Sequence, residues 1–350
     1  MKHDIQIGGL TIGDQHRPFI IAEMSGNHNQ SLERALQIVD AAADAGADAI
    51  KLQTYTADTI TVEGAFTIHD ENSLWNGREL YDLYKQAYTP WEWHKPIFEH
   101  AAKRGLMAFS SPFDETAVEF LESLNVPAYK IASFENTDWT LLKKVAETGR
   151  PVIMSTGVSQ ISDIDESVRI LKGNGCKDLV ILKCTSTYPA TPENTNLLTI
   201  PHMADLFNCH VGLSDHTMGI GAAVAAVALG ARVIEKHFTL RRADGGVDSA
   251  FSLEPEELKA LVTETKTGFL ALGNIQYGIQ KSEEKNIQFK RSLYAIRDIQ
   301  QGELFTTENV QSKRPALGLH TRYYDQVLGK KATGFIKKGT PIQWGLLSNA

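Results

Sequence analysis

Cysteine is scarce in this chain: Cys176, Cys184 and Cys209 are the full set, and no CxxC spacing occurs among them. A disulfide framework and a zinc–thiolate cluster are therefore excluded as organising principles, and the three read as free thiols in a reducing compartment. Long apolar runs are also missing. The longest, Ile220 to Leu229, is rich in alanine and falls far short of the roughly 20 residues a membrane span requires. The amino terminus, MKHDIQIGGLTIGDQHRPF, has no apolar segment of the secretory kind, so the expected location is the cytoplasm. Basic charge is short as well. Against 42 Asp and Glu stand 35 Lys and Arg, a formal charge of −7, with no basic run able to follow a nucleic acid or hold an anionic membrane. These absences leave a globular chain, 42% hydrophobic, whose partners are expected to be small molecules.

Eight short apolar runs recur along the chain: Phe19–Met24, Ala49–Gln53, Met107–Pro112, Tyr129–Ser133, Val152–Gly157, Leu179–Ser186, His210–His216 and Val233–Thr239. Each is nearly continuous in apolar residues, as a strand buried on both faces of a parallel sheet must be. Between them lie segments with helical spacing, such as SLERALQIVDAAADAG and DETAVEFLESLN. Strand and helix alternating eight times predict a (β/α)8 TIM barrel over residues 1–272. A polar linker over 273–290 and a separate small domain over 291–350 follow, the latter marked by strand-like pieces and glycine turns. Sixty residues bury only a marginal core, so docking on the barrel or on a second subunit would help that domain.

Polar residues gather at the carboxyl ends of the runs: Glu23, Lys51, Gln53, Ser111, Lys130, Ser133, Ser155, Ser186, Ser214, His216, Lys236 and His237. In a closed barrel these ends form a single mouth, where active sites of this fold lie. An open doubly wound sheet would also place ligands at strand ends, but no GxGxxG or Walker-type loop follows the first run. The stretch from Thr54 to about Leu106 is unusually long for a connection and is expected to be a lid or an interface; most of its aromatic residues can equally be packing.

His216 and His237 end the seventh and eighth runs, which are neighbours in a barrel about 5 Å apart. Two imidazoles without a third His or Cys at ligand spacing suit an open, octahedral Mn²⁺ or Mg²⁺ site better than structural zinc, although each is also compatible with an ordinary hydrogen-bonded barrel residue. Lys51 and Lys130 end apolar strands, where an unpaired ammonium is too costly to leave without an anion. Ser111, Ser133, Ser155 and Ser214 supply hydroxyl donors beside them, so a bound phosphate and carboxylate are one solution and an internal salt bridge to Glu23 or Glu135 is the other. Glu23 can move a proton or merely pair with Lys51. Asp248, in a Gly-rich loop after the eighth run, can approach a ligand or serve as a turn former. Arg314 lies in the small domain, where a lone Arg is ordinarily solvated.

In order, EMSGNHN, IKLQTY, SSPFDE, YKIASFE, MSTG, CTSTYP, GLSDHT, EKHFT and KRP resemble the sialic acid synthase family over nearly the whole chain. That resemblance implies a barrel followed by an antifreeze-like (SAF) domain, and condensation of phosphoenolpyruvate with an open-chain acetamido sugar. It further implies a divalent metal, Mn²⁺ foremost with Mg²⁺ or Co²⁺ as alternatives, on His216 and His237. Phosphoenolpyruvate would be held by Lys51, Ser111, Lys130, Ser133, Ser155, Ser214 and Tyr188. Glu23 would handle the proton, Glu135, Gln53 and Ser186 would line the site, and Asp248 would contact the sugar or a metal-bound water. A homodimer is implied too, with Arg314 reaching the acetamido group in the partner's site. EMSGNHN, AYTPWEWHK and GGVDSAFS resemble the branch of the family whose acceptor is 2,4-diacetamido-2,4,6-trideoxy-L-altrose, although Val247 stands where that branch is expected to have proline. N-acetylmannosamine and the legionaminic acid precursor are the alternative acceptors, and a non-catalytic sugar- or phosphate-binding protein is the alternative of a different class.

Overall fold

In the computed structural model, which describes residues 2–71 and 74–348, the eight apolar runs close into one parallel barrel. Two short strands come first, β1 (Ile5–Ile7) and β2 (Leu10–Ile12). The barrel strands are β3 (Phe19–Glu23), β4 (Ala49–Thr54), β5 (Met107–Pro112), β6 (Tyr129–Ile131), β7 (Val152–Ser155), β8 (Leu179–Cys184), β9 (His210–Asp215) and β10 (Val233–His237). β10 pairs with β3 and completes the ring. The expected TIM barrel is present, and its helices start where the sequence supplies a cap. Ser31 accepts from Arg34 N ahead of Leu32–Ala45, Asp114 accepts from Ala117 N ahead of Glu115–Ser123, and Asp138 accepts from Leu141 N ahead of Trp139–Glu147. Each satisfies a backbone donor that the first helical turn would otherwise leave orphaned.

Successive residues of a strand point to opposite faces, and this parity sorts the barrel. Ile20, Ala22, Ile50, Leu52, Tyr129, Ile131, Met154, Ile181, Leu213 and Ile234 join the core between strands and helices. Phe19, Ile21, Ala49, Phe109, Ala128, Ile153, Val180, Leu182 and Val233 fill the barrel interior near its amino-terminal end. Into that interior β1 and β2 fold back as an antiparallel hairpin, and Ile5, Ile7 and Ile12 plug the floor. Sequence reasoning assigned nothing to this hairpin, because three-residue strands are too short for a period of two to register. With the floor filled by hydrocarbon, the interior positions left for polar groups are those at the carboxyl ends of the strands.

The chain divides into two compact units, Met1–Gly273 and Asn274–Ala350. In the second unit, Lys281–Phe289 forms an exposed 3₁₀ stretch. β11 (Ser292–Ala295) then pairs antiparallel with β12 (Val310–Lys313), and β13 (Lys331–Ala332) with β14 (Leu347–Ser348). Leu293, Ile299, Phe305, Val310, Val327, Ile336 and Ile342 make a small core of its own. Among the described residues, no helix is long and apolar enough to cross a membrane.

Candidate active site

Two steps along each strand from the apolar interior layer, the side chains change from hydrocarbon to charge. Phe19 and Ile21 give way to Glu23 on β3, Ala49 to Lys51 on β4, Ala128 to Lys130 on β6, and Val233 to Glu235 on β10. All four charged residues are buried. Lys51 Nζ lies 2.6 Å from Glu23 Oε2 and 3.6 Å from Glu235 Oε2, and donates to Ser111 Oγ at 3.2 Å. Lys130 Nζ donates to Ser155 Oγ at 2.7 Å and lies 3.5 Å from Glu235 Oε1, which accepts from Ser214 Oγ at 2.9 Å. Lys51, Lys130 and Ser214 thus meet around one carboxylate, Glu235, that sequence reasoning did not single out. Its signal was parity with His237: Glu235 lies two residues earlier on the same strand and must share its face.

The neighbouring Lys236, anticipated at the mouth, points the other way. It donates to Asp215 Oδ2 and to the carbonyls of Thr217 and Gly219 on the helix side of the barrel. Its charge caps a loop, so Lys236, expected at the mouth, does not belong to it.

The carboxylates divide in their proton affinity. Burial pushes Glu235 up, but Lys130, Lys51 and the Ser214 hydroxyl outweigh it and bring the group down to about 2. For Glu23 burial wins over Lys51, with Glu235 adding repulsion, and the carboxyl rises to about 7. Gln53 Nε2 also donates to Glu23 Oε1 at 3.0 Å. Two buried carboxyls of one cluster are thus displaced in opposite directions.

A second cluster surrounds the ends of β7 and β8. Ser133 Oγ accepts from Gly157 N at 3.0 Å. A methyl group on Gly157 would collide with Ser186 Oγ and sit 2.7 Å from Ser133 Oγ, so the glycine lets both hydroxyls approach the backbone closely. Glu135 stands nearby with Oε2 buried and without a hydrogen-bond partner, and burial raises it to about 7.

The two histidines also meet: the rings of His216 and His237 are 5.3 Å apart between centroids, and Tyr188 packs against His216 at 4.4 Å. His216 Nδ1 donates to the Thr185 carbonyl at 3.0 Å; burial lowers the ring's proton affinity, but Cys184, that carbonyl and Glu235 outweigh it and raise it. Burial holds the His237 ring neutral, and its Nδ1 is buried without a hydrogen bond, 4.0 Å from Asp248 Oδ2. Asp248 accepts from Ser25 Oγ. Among the described residues no group of three or more His, Cys, Asp or Glu is placed to hold a metal ion, so any ion here would rest on two imidazoles and leave its remaining positions open. Two imidazoles at this spacing fit a divalent cation, which would displace the proton that His216 otherwise favours. Arg314 is exposed in the second unit, beside Lys290, Arg291 and His320.

Above the charged layer lies a cavity of about 540 Å³. Gln53, Glu135, Ser186, Tyr188, His237 and Asp248 line it from the barrel, and side chains of the long insertion line it from the other side. Fold and site together define a barrel enzyme whose mouth gathers two lysines, two glutamates and several hydroxyls beside a pair of histidines.

The comparisons with known proteins make this specific. Residues 38–277 match the NeuB family and residues 290–348 match the SAF domain. The chain is 47% identical to pseudaminic acid synthase of Campylobacter jejuni, over 97% of this chain and 99% of that protein. It is 44% identical to pseudaminic acid synthase of Helicobacter pylori, over 93% and 96%. A crystal structure of N-acetylneuraminic acid synthetase from Leptospira borgpetersenii, in complex with citrate, superimposes with a TM-score of 0.74 at 35% identity, covering 82% of this chain and 96% of that one. The chain belongs to the NeuB family of phosphoenolpyruvate-condensing sialic acid synthases, and it is an enzyme.

Proposed function

We propose that this enzyme condenses phosphoenolpyruvate with 2,4-diacetamido-2,4,6-trideoxy-L-altrose and water to give pseudaminic acid and phosphate. The observation that carries the reaction is the buried pair Lys51 and Lys130, whose ammonium groups are linked through Glu235 and flanked by Ser111, Ser155 and Ser214. Two cations and several hydroxyl donors at one barrel mouth suit a substrate carrying both a phosphate and a carboxylate. The choice of acceptor is supported by the likeness to the pseudaminic acid synthases of Campylobacter jejuni and Helicobacter pylori.

Lys51, Lys130 and the serines hold phosphoenolpyruvate with its methylene carbon toward the sugar aldehyde, and Ser133, Ser186 and Tyr188 complete its surroundings. A divalent ion on His216 and His237, Mn²⁺ foremost, would supply Lewis-acid polarisation of that aldehyde. The new carbon–carbon bond forms between the methylene and aldehyde carbons, and positive charge develops at carbon two. Water adds there, and the tetrahedral intermediate loses phosphate with its carbon–oxygen bond broken. Glu23 is the proton carrier: its contacts with Lys51 and Gln53 favour the carboxylate, and a value of about 7 leaves it able to take a proton at neutral pH. Asp248 and Glu135 orient the acceptor. The enzyme acts as a homodimer in which Arg314 reaches the acceptor's acetamido group in the partner's site. In support of this role, Arg314 is exposed and makes no ion pair or hydrogen bond among the described residues.

Phosphate release tests the reading across the trideoxy altrose, N-acetylmannosamine and the legionaminic acid precursor. Release is expected with the first above the others, and ¹⁸O in the bridging position of phosphoenolpyruvate is expected in the phosphate. Label retained in the sugar acid would overturn the carbon–oxygen cleavage, and faster turnover of another sugar would overturn the acceptor.

A further inference from the structure

The insertion between β4 and β5 contributes a wall whose chemistry differs from the rest of the cavity. Residues 66–68 pair with 77–80: Ile68 N donates to Arg78 O at 3.0 Å, Gly77 N to Ile68 O at 2.8 Å and Leu80 N to Phe66 O at 3.0 Å, with Thr67 opposite Glu79. Strand parity then turns Phe66 and Ile68 to one face and Thr67 to the other. Phe66 and Ile68 both line the cavity, together with Ile60, Leu80 and Leu83. Phe66 is 58% exposed, so its ring remains open to a ligand in the cavity. Across the opening, Trp75 Nε1 donates to Val247 O at 3.2 Å and its ring lies 5.7 Å from Tyr188, which ties this wall to the loop after β10.

Gln53, Glu135, Ser186, His237 and Asp248 bring polar groups to the cavity from the barrel side, while the insertion contributes mainly apolar side chains and the hydroxyl of Tyr84. The reacting aldehyde belongs there, beside the lysines. The far end of an open-chain sugar therefore meets the hydrocarbon wall. We propose that Phe66 and Ile68, with Ile60, Leu80 and Leu83, form an apolar subsite for the terminal methyl group of a 6-deoxy acceptor, and that the insertion thereby selects deoxy over hydroxylated sugars. A methyl group gains from leaving water there, whereas a terminal hydroxyl would lose its hydration without a matching partner on those five side chains. The inference rests on the proposed condensation. A hydrophobic pocket rejects an added hydroxyl only modestly, so the expected preference is about 10- to 100-fold and no more.

The test compares two acceptors that differ only at carbon six, 2,4-diacetamido-2,4,6-trideoxy-L-altrose and its 6-hydroxy counterpart, with wild type, Phe66→Ser and Ile68→Ser. Two readouts are taken: the ratio of kcat/KM by phosphate release, and the affinity of each sugar by titration calorimetry with phosphoenolpyruvate present. Wild type is expected to favour the deoxy sugar in both. Each serine variant is expected to lower that preference by about tenfold, the scale of one methyl contact, while the KM for phosphoenolpyruvate stays within about twofold. A wild-type enzyme indifferent to carbon six, or a preference that survives both substitutions, would overturn the subsite. Absence of phosphate release with either sugar would instead defeat the proposed condensation, and the calorimetric affinities would still decide the subsite. Thermal melts of the variants separate lost selectivity from lost fold.

Discussion

Glu135 shows how a single buried carboxyl couples chemistry to stability. Unfolded it titrates near 4.5, and burial raises it to about 7 in the folded chain. Between those values the folded state holds a proton that the unfolded state has released, so stability falls as pH rises from 4.5 toward 7 and levels off above it. The full shift corresponds to on the order of 3 kcal/mol. Glu135→Gln removes that dependence. Urea midpoints at pH 5 and pH 8 should therefore differ less in the variant than in wild type, with the variant the more stable at pH 8; an equal difference would mean that Glu135 ionises freely in the fold. At this scale much of the site was legible, because lysine and histidine at the ends of apolar strands have no cheap alternative to a partner. Glu235 escaped because a carboxylate flanked by lysine suggests a local salt bridge, and only the alternation of the strand separates it from Lys236.

Among the elements, β9 and β10 depend on a residue without a side chain. A methyl group on Gly212 would press on the Val233 carbonyl oxygen and come within 2.6 Å of Leu182 Cδ2. Neither atom can retreat, one being backbone of the adjacent strand and the other packed in the barrel interior. Gly212→Ala is expected to cost about 1–3 kcal/mol in chemical denaturation, the usual penalty for overpacking. It should also weaken turnover, since Ser214, Glu235 and His237 are carried on these two strands and His216 directly follows β9. The eight barrel strands could be read directly from sequence because burial on both faces makes each a continuous apolar run. The insertion could not. Its paired segments, FTI and GREL, are short, and their apolar residues face a cavity that exists only after the barrel has formed.

For the whole molecule, the proposed trans role of Arg314 has a stoichiometric signature. Glu23→Ala and Arg314→Ala chains should each be inactive alone. After subunit exchange, a mixed dimer of this symmetric type has one site with both defects and one with neither, so activity should return to roughly a quarter of wild type. Failure to recover despite demonstrated exchange would place Arg314 in its own chain's site or outside the site. The barrel interior, meanwhile, differs between its two ends: the amino-terminal hairpin fills the floor with isoleucine, and the buried lysine–glutamate cluster lies at the mouth. The first residues are held at the floor end by the Asp178 carboxylate, which pairs with His3, and by His210, whose ring meets the His3 carbonyl. That polarity gives the barrel a built-in mounting direction. A tether or fused carrier attached ahead of His3 emerges at the sealed pole, so the molecule can be anchored to a bead or an electrode with its entrance turned toward the solution.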